Sequence, residues 1–567
     1  MAASRLAKLA EQLATANTTP PPANIEATYK VTDKPLGSTR HVRVIGIGAG
    51  MSGINMIRTL RLHLTDYEHI IYEKNPSIGG TWYENRYPGC KCDVPSHNYQ
   101  FSWRQNPRWS SFFSSAPEIE AYLCRVCEEE GMYPLIKTQH EVVRADWEEN
   151  EDKCHFLLDG SGILNNWKWP AIKGLHDFQG DLIHSANWPM SFDCTDRTVA
   201  LIGNGSSGVQ ILPELQKACK QVVHFVRDPT WIVPSRLQLL AQGSGGGIIQ
   251  EIELNDDESF PEAQLDRFES DPAFYRKFVK SVEEVVNGNF PLTLKDTEFA
   301  ASMQERAREY MTLALEGDKR LCDAIIPDFP LGCRRLTPGT GYLEALKRPN
   351  VRVVLDPIAK VVSQGFETST GELIEVDAII CATGFDVSFS PRFPILGRKG
   401  NMQDLWTQQV PKAYMSCAIP NFPNYFTFLG PNAPIGHGSV FTITEHVAKY
   451  LTRIIRKCQV ENIKAICPTQ DAVDDLFIHT QAFMPRTAWS GNCVSWFKNG
   501  TVDGPVTALH PGSRIHFFHM LEGFRGEDWE YTYLSTGNRF KYLGNGFSTK
   551  EEGDEDAAWY LDHPDEL

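Results

Sequence analysis

The sequence predicts an α/β fold in which two nucleotide-binding domains, each a parallel sheet flanked by helices, accompany an inserted helical region. The main observation is a repeated unit. An apolar strand, a glycine-rich turn and a helical pattern follow one another in HVRVIGIGAGMSGINMIRTLRL, and the same order returns in RTVALIGNGSSGVQILPELQ. Because a strand–turn–helix unit with G-x-G-x-x-G spacing is typical of dinucleotide-binding domains, two copies predict two Rossmann-like domains.

The first glycine-rich turn is expected to bind the pyrophosphate of a dinucleotide. Gly48 permits a tight turn, Gly50 lets backbone amides approach the phosphates, and Gly53 lets the following helix pack closely. The next strand, HIIYEK, ends near Glu73, twenty residues after Gly53. A carboxylate at this position is suited to accept hydrogen bonds from a ribose.

The second glycine-rich turn has the same spacing at Gly203, Gly205 and Gly208. Ser206 and Ser207 add two hydroxyl groups to the turn. These residues therefore predict a second dinucleotide site.

The strand after the second turn, QVVHFVRDP, carries Arg227 where the first unit has an acid. A cation at this position favours NADP over NAD, because it can pair with a 2′-phosphate; the alternative is an ordinary surface arginine. A chain that binds two dinucleotides most economically pairs a flavin with its nicotinamide reductant, so we expect FAD and NADPH as cofactors.

The rest of the chain completes these two domains around a helical region. The stretch GSGGG opens a segment with helical periodicity, of which SMQERAREYMTLALE is an example, and strands resume with LIEVDAIICATGFD and NYFTFLG. The first nucleotide-binding domain is thus expected to be split. The predicted division is an N-terminal extension (1–40), an FAD-binding domain in two parts (41–165 and 381–545), an NADP-binding domain in two parts (166–236 and 331–380), a helical insertion (237–330) and an acidic tail (546–567).

Charge and hydropathy exclude several function classes. The net charge of −16 argues against binding to nucleic acid or to anionic membranes, which both require a basic face. No apolar segment resembles a secretion signal or a membrane span. We therefore expect a soluble, cytoplasmic protein that is a monomer or a weak dimer.

The fourteen cysteines are scattered, which predicts a reduced chain without a disulfide framework or a metal site. Cys124 and Cys127 form a C-x-x-C pair, but the surrounding residues have helical periodicity. This favours a structural role over a redox pair.

Two longer motifs resemble a known family. GGTWYENRYPGCKCD (79–93) and FQGDLIHSANWP (178–189) are similar to the fingerprints of type I Baeyer–Villiger monooxygenases. The segments CDVPSHNYQFSW, GCRRLTPGTGYLEAL and CATGFD resemble the fungal branch found in secondary metabolism. The resemblance covers roughly residues 40–545.

The resemblance implies an enzyme that uses FAD, NADPH and O2 to convert a small-molecule ketone into an ester or lactone through a C4a-peroxyflavin. It implies that Arg335 is the catalytic cation and that Asp93 pairs with and orients it. A guanidinium suits this role because it keeps its charge at any working pH and can contact two oxygens together.

Further positions take their roles from the same resemblance. Thr81, Trp82 and Tyr99 match positions that line the flavin. Trp496 matches a tryptophan near the nicotinamide ribose and the substrate, although an aromatic core residue remains an alternative. Arg334 matches a basic residue that binds the 2′-phosphate together with Arg227.

One position departs from the family pattern. Asp228 stands where the family usually has threonine. An acid beside a phosphate weakens the expected preference for NADPH without reversing it.

The second fingerprint matches the family's linker between the FAD and NADPH domains. Phe178, Gly180, His184 and Trp188 would then be hinge and packing residues that respond to nicotinamide binding, and Pro189 ends the motif. From the residues alone, a histidine and a tryptophan in a loop could equally serve catalysis or packing.

Three other functions share part of this pattern. A flavin monooxygenase that oxidises nitrogen or sulfur has both turns but does not need the Arg335–Asp93 pair. A disulfide reductase would need its cysteine pair beside the flavin, and Cys124 and Cys127 lie outside both turns. A non-catalytic, redox-sensing binding module would not need the Arg335–Asp93 pair.

Overall fold

The computed structural model describes residues 29–150, 153–234, 247–535, 537–552, 556 and 558–562. Most of the predicted N-terminal extension, all but the last residue of the GSGGG stretch and much of the acidic tail lie outside the described residues.

A five-stranded parallel sheet contains the first glycine-rich turn. Its strands, in spatial order, are Tyr425–Thr427, Phe156–Asp159, Val42–Ile47, Tyr67–Tyr72 and Ile136–Lys137. The strands Val42–Ile47 and Phe156–Asp159 are largely buried, as expected for parallel strands covered by helices. The helix Met51–His63 follows the turn and packs on the long helix Val440–Val460, where Asn55 Nδ2 donates to Thr444 Oγ1 at 2.8 Å.

A second five-stranded parallel sheet contains the second glycine-rich turn. Its strands, in spatial order, are Val351–Val354, Gln221–Phe225, Thr198–Ile202, Ala378–Cys381 and Asp181–His184. The helix Ser206–Ala218 starts directly at the turn, and its apolar face is buried. The predicted α/β class with two Rossmann-like sheets is confirmed.

Much of the described chain between the strands Gln221–Phe225 and Val351–Val354 of the second sheet is helical. Its helices are Glu262–Ser270, Pro272–Gly288, Glu298–Ala314 and Lys319–Ile325. Asp271 and Thr297 cap the second and third of these by accepting hydrogen bonds from Phe274 N and Ala300 N. An aromatic cluster packs this region against residues 97–113 of the first nucleotide-binding fold.

The remaining elements complete the two folds and their connections. The other helices are Thr81–Glu84, Ala116–Glu129, Tyr342–Leu346, Met402–Gln408, Gln470–Phe483 and Arg514–Met520. The other strands are Ala145–Asp146, Ile232–Val233, Thr337–Pro338, Ile358–Val362, Gly365–Thr368, Leu373–Glu375, Ile395–Gly397, Gly400–Asn401, Ile463–Pro468 and Trp529–Tyr533.

The structure corrects one expectation about the cysteines and leaves the structural role of Cys124 and Cys127 as a prediction. Cys124 and Cys127 are free thiols on the helix Ala116–Glu129, and burial raises the pKa of Cys127 to about 12. The expectation of a fully reduced chain is wrong, because Cys333 and Cys493 form a disulfide. The two cysteines are 160 residues apart, so only the tertiary fold brings them together.

The described residues lack two features that other classes of protein require. No helix in the described part of the chain combines the length and the apolar character needed to cross a bilayer. The same residues contain no group of three or more His, Cys, Asp or Glu side chains that could hold a metal ion.

Candidate active site

A cleft of about 360 Å³ brings residues of both glycine-rich turns together. Predicted site residues contribute much of its lining: Gly48, Gly50, Glu73, Thr81, Trp82, Asp93, Tyr99, Ser206, Arg335 and Trp496. The other predicted residues do not line this central cleft: Gly53, Phe178, Gly180, His184, Trp188, Gly203, Gly205, Ser207, Gly208, Arg227 and Arg334. The central cleft therefore joins the first turn, the first fingerprint and the Arg335 segment.

The first glycine-rich turn has the geometry of a phosphate-binding turn. Gly48 has φ = 87°, and a Cβ on it would lie 2.7 Å from the carbonyl oxygen of Gly160. Glu73 is buried and accepts hydrogen bonds from the backbone amides of Ala49 and Asn75, each at 2.8 Å. These bonds hold the carboxylate at the edge of the cleft, and each of its oxygens keeps a lone pair for a ribose hydroxyl. These residues fit a flavin dinucleotide.

The second glycine-rich turn fits a second dinucleotide. Gly203 has φ = 101°, and a Cβ there would lie 2.6 Å from the carbonyl oxygen of Ala382. A Cβ on Gly205, by contrast, would meet no heavy atom within 4 Å, so the space before the N-terminus of the helix Ser206–Ala218 is open. Ser206 Oγ lies 3.2 Å from Thr337 Oγ1. An open helix N-terminus with hydroxyl groups is suited to a pyrophosphate.

Arg335 and Asp93 form a two-pronged ion pair in the central cleft. Arg335 Nε donates to Asp93 Oδ2 at 2.5 Å and Nη2 donates to Oδ1 at 2.8 Å, while Nη1 donates to the carbonyl oxygen of Ile435 at 3.1 Å. Burial lowers the pKa of Arg335, but the charge and hydrogen bonds of Asp93 outweigh this and raise it overall. The pair thus presents a permanent cation of fixed orientation to the cleft.

Asp228 lies between the two arginines expected to bind a 2′-phosphate. Arg227 Nε donates to Asp228 Oδ2 at 2.9 Å, and Arg334 Nη2 lies 3.5 Å from the same oxygen. The Arg227 side chain is 85 % exposed, whereas Arg334 is held by hydrogen bonds to the carbonyl oxygens of Val494 and Pro229. Burial lowers the pKa of Arg334, and Asp228 partly opposes this effect.

Aromatic side chains form one wall of the central cleft. The rings of Trp82 and Tyr99 meet edge to face with centroids 5.5 Å apart, and Tyr99 meets Phe441 in the same way at 4.8 Å. Trp496 is half-buried, contacts Phe497 at 4.7 Å and also lines the cleft. Trp496 therefore combines a packing contact with a surface open to the site.

The residues of the second fingerprint are packed beside the second sheet. Phe178 is buried in that sheet's core, and a Cβ on Gly180 would lie 2.4 Å from the carbonyl oxygen of Asp377. His184 stacks on Trp167 at 4.6 Å, and burial lowers its pKa to about 4. Trp188 meets Phe192 edge to face at 5.6 Å. This geometry supports packing rather than acid–base catalysis.

The sequence reasoning missed a set of hydrogen bonds between the two nucleotide-binding folds. Tyr87 donates its hydroxyl hydrogen to Gln210 Oε1 at 2.9 Å, and Gln210 Nε2 donates to the carbonyl oxygen of Lys91 at 2.9 Å. Tyr87 and Lys91 lie within the first fingerprint, and Gln210 lies two residues after Gly208. The sequence indicated these contacts only through the positions of Tyr87 and Lys91 in the first fingerprint and of Gln210 beside the second glycine-rich turn.

Comparisons with known proteins agree with this site. Residues 47–116 match a family model described as an NAD(P)-binding Rossmann-like domain, and residues 137–240 match one described as flavin-binding monooxygenase-like. The FAD-binding monooxygenase moxY of Dothistroma septosporum is 37% identical over 91% of this chain and 83% of its own length. A Baeyer–Villiger monooxygenase of Streptomyces coelicolor is 30% identical over 84% of this chain and 90% of its own length.

Solved structures show the same architecture. A closed crystal structure of cyclohexanone monooxygenase is 26% identical, covers 88% of this chain and 100% of its own, and has a TM-score of 0.70. The cyclohexanone monooxygenase of Rhodococcus sp. Phi1, bound to NADP+, is 25% identical with the same coverage and a TM-score of 0.70.

Two dinucleotide-binding folds that share one cleft with an arginine–carboxylate pair define a class, the flavoprotein monooxygenases. Within that class, this chain belongs to the Baeyer–Villiger monooxygenases, as the resemblance predicted. Fungal proteins named FAD-binding monooxygenase are among its relatives.

Proposed function

We propose that this chain uses FAD, NADPH and O2 to insert one oxygen atom beside the carbonyl of a small-molecule ketone, giving an ester or lactone. The Arg335–Asp93 pair, which lies in the cleft between the two dinucleotide-binding turns, is the observation that carries this proposal. Bound FAD, once reduced by NADPH, supplies the oxygen-activating chemistry; the protein supplies binding, orientation and charge.

Each turn has its own cofactor in this proposal. The turn at residues 48–53 would hold the FAD pyrophosphate and Glu73 its ribose, with Trp82 and Tyr99 beside the flavin. The turn at residues 203–208 would hold the NADPH pyrophosphate, with Ser206 and Ser207 as hydroxyl donors. The strand membership of the two sheets supports the proposed domain division except at one boundary, because the strand Ala378–Cys381 of the second sheet extends one residue beyond the proposed end of the NADP-binding domain at residue 380.

Arg335 would stabilise the negative charge that develops on oxygen during insertion. Its Nη1 and Nη2 already donate to Ile435 and Asp93, but a guanidinium has five N–H groups and can donate to substrate oxygen as well. Asp93 holds the guanidinium plane so that this charge need not reorganise during reaction. Exclusion of water by the aromatic wall strengthens the interaction, because the local dielectric constant is low.

A product test distinguishes this proposal from oxidation of nitrogen or sulfur. We expect the purified protein to be yellow with bound FAD, to oxidise NADPH faster than NADH, and to convert members of a ketone panel into products heavier by one oxygen. Product mass, together with ¹⁸O2 labelling, shows whether one oxygen atom of O2 enters the product. A protein that oxidises thioethers and leaves every ketone of the panel unchanged would contradict the proposal.

Arg227 and Asp228 allow a test of the proposed 2′-phosphate site. Arg227→Ala should raise the KM for NADPH by about 10- to 150-fold, since a charge-assisted hydrogen bond contributes about 1.5–3 kcal/mol, and should leave the KM for NADH nearly unchanged. Asp228→Thr should lower the KM for NADPH, because it frees both arginines for the phosphate. Steady-state kinetics with both nucleotides measures this, NADH being the internal control; equal effects on both would refute the assignment.

A further inference from the structure

The Cys333–Cys493 disulfide joins two segments that carry site residues. Cys333 directly precedes Arg334 and lies two residues before Arg335, while Cys493 lies three residues before Trp496. Both cysteines are buried, with relative exposures of 0% and 2%. The covalent bond therefore lies beside the two arginines on one side and beside the tryptophan of the cleft on the other.

Noncovalent contacts also join these two segments near the disulfide. Arg334 Nε donates to the carbonyl oxygen of Val494 at 2.8 Å, which is the residue after Cys493. A Cβ on Gly491 would lie 3.1 Å from the sulfur of Cys333, so the segments approach closely at the disulfide. Arg335 donates hydrogen bonds to Asp93 and to the carbonyl oxygen of Ile435, which lie in other segments of the chain. Loss of the disulfide would remove the covalent link of the Arg334–Arg335 segment to Cys493 and leave its position to hydrogen bonds, to the ion pairs with Asp228 and Asp93 and to packing.

We propose that Cys333 and Cys493 are positioning residues whose disulfide holds Arg334 in place for NADP+ binding and Arg335 in place for oxygen insertion. The redox state of this pair then sets the affinity for NADP+ and the yield of ester per NADPH. The part concerning oxygen insertion rests on the proposed function. The remaining twelve cysteines are free thiols, which makes this pair the one reducible bond of the described residues. A dithiol reductant breaks the sulfur–sulfur bond with two electrons and two protons, leaves two thiols and is itself oxidised to a disulfide.

Thiol counting and NADP+ binding test the proposal without a ketone. Alkylation of the denatured, non-reduced holoenzyme should label 12 of the 14 cysteines, and all 14 after treatment with dithiothreitol. Reduction of the native holoenzyme should raise the dissociation constant for NADP+ by about threefold to tenfold, because Arg334 loses its fixed position. Labelling of all 14 cysteines without reductant would overturn the proposal.

A ketone that the panel shows to be a substrate tests the effect on Arg335. Reduction should lower ester formed per NADPH consumed by about tenfold, less than the roughly 100-fold that a displacement of about 1 Å at a reacting group can cost, because Asp93 and Ile435 still hold Arg335. The rate of flavin reduction at saturating NADPH should change less than twofold. Unchanged NADP+ affinity and unchanged ester yield after complete reduction would show that the disulfide has no positioning role.

Variants separate positioning from folding. Cys333→Ser and Cys493→Ala should each reproduce the reduced wild-type values and no longer respond to dithiothreitol. Cys322→Ala, which removes a free thiol on the helix Lys319–Ile325, is the matched control and should keep the full response. If either variant fails to fold, reduced and oxidised wild-type enzyme still decide the question. Oxidised enzyme that makes no ester would contradict the proposed function, while thiol counts and NADP+ affinity would still decide this inference.

Discussion

Arg335→Ala should reduce ester formation by about 10²- to 10³-fold, which is the usual cost of removing one preorganised charge contact from a site where negative charge develops. NADPH oxidation should continue in part, and the oxygen consumed should appear as hydrogen peroxide. The reason is that, in the proposed function, dinucleotide binding would depend on the two glycine-rich turns, whereas oxygen insertion would depend on the guanidinium in the central cleft. Parallel assays of NADPH consumed, ester formed and hydrogen peroxide released measure how much of the NADPH oxidation still leads to ester.

Three further variants test whether the effect is specific to the Arg335–Asp93 pair. Arg335→Lys should restore little activity, because an ammonium keeps the charge but cannot make the two-pronged contact with Asp93. Asp93→Ala should show a milder form of the same defect. Arg352→Ala is the matched control, since Arg352 pairs with Glu372 on the surface, where its Nη2 donates to both carboxylate oxygens, and its loss should leave ester formation unchanged. Full oxygenation of a good ketone by Arg335→Ala would show that the proposed mechanism is wrong.

Gly48→Ala should yield a nearly colourless protein that does not retain FAD. Gly48 has φ = 87°, a conformation that costs a residue with a Cβ about 1–2 kcal/mol, and the new Cβ would lie 2.7 Å from the carbonyl oxygen of Gly160. The turn must therefore shift, and the dissociation constant for FAD should rise by more than about tenfold. The ratio of flavin absorbance to protein absorbance after gel filtration measures the loss.

A glycine without these constraints is the control for that variant. Gly288 ends the helix Pro272–Gly288, and a Cβ there would meet no heavy atom within 4 Å. Gly288→Ala should retain FAD as wild type does. Retention of FAD by Gly48→Ala, with an unchanged dissociation constant, would contradict the assignment of this turn to the flavin.

The predicted secondary structure agrees with the structure where the sequence pattern is local. The stretch SMQERAREYMTLALE falls largely in the helix Glu298–Ala314, and LIEVDAIICATGFD contains the strands Leu373–Glu375 and Ala378–Cys381. Hydrophobic periodicity and glycine spacing report on contacts within a few residues, so such elements can be predicted from one sequence. The same holds for the two glycine-rich turns.

By itself, the sequence determined the fold class, the two turns and the identity of Arg335 and Asp93 as a motif pair, because each depends on spacing or on a motif. Only the tertiary structure decided what those residues contact. It placed Asp228 between Arg227 and Arg334, joined Tyr87 to Gln210 across the two folds, and linked Cys333 to Cys493 over 160 residues. Such contacts arise when distant segments pack into one core, and no local pattern of residues encodes which side chains then meet.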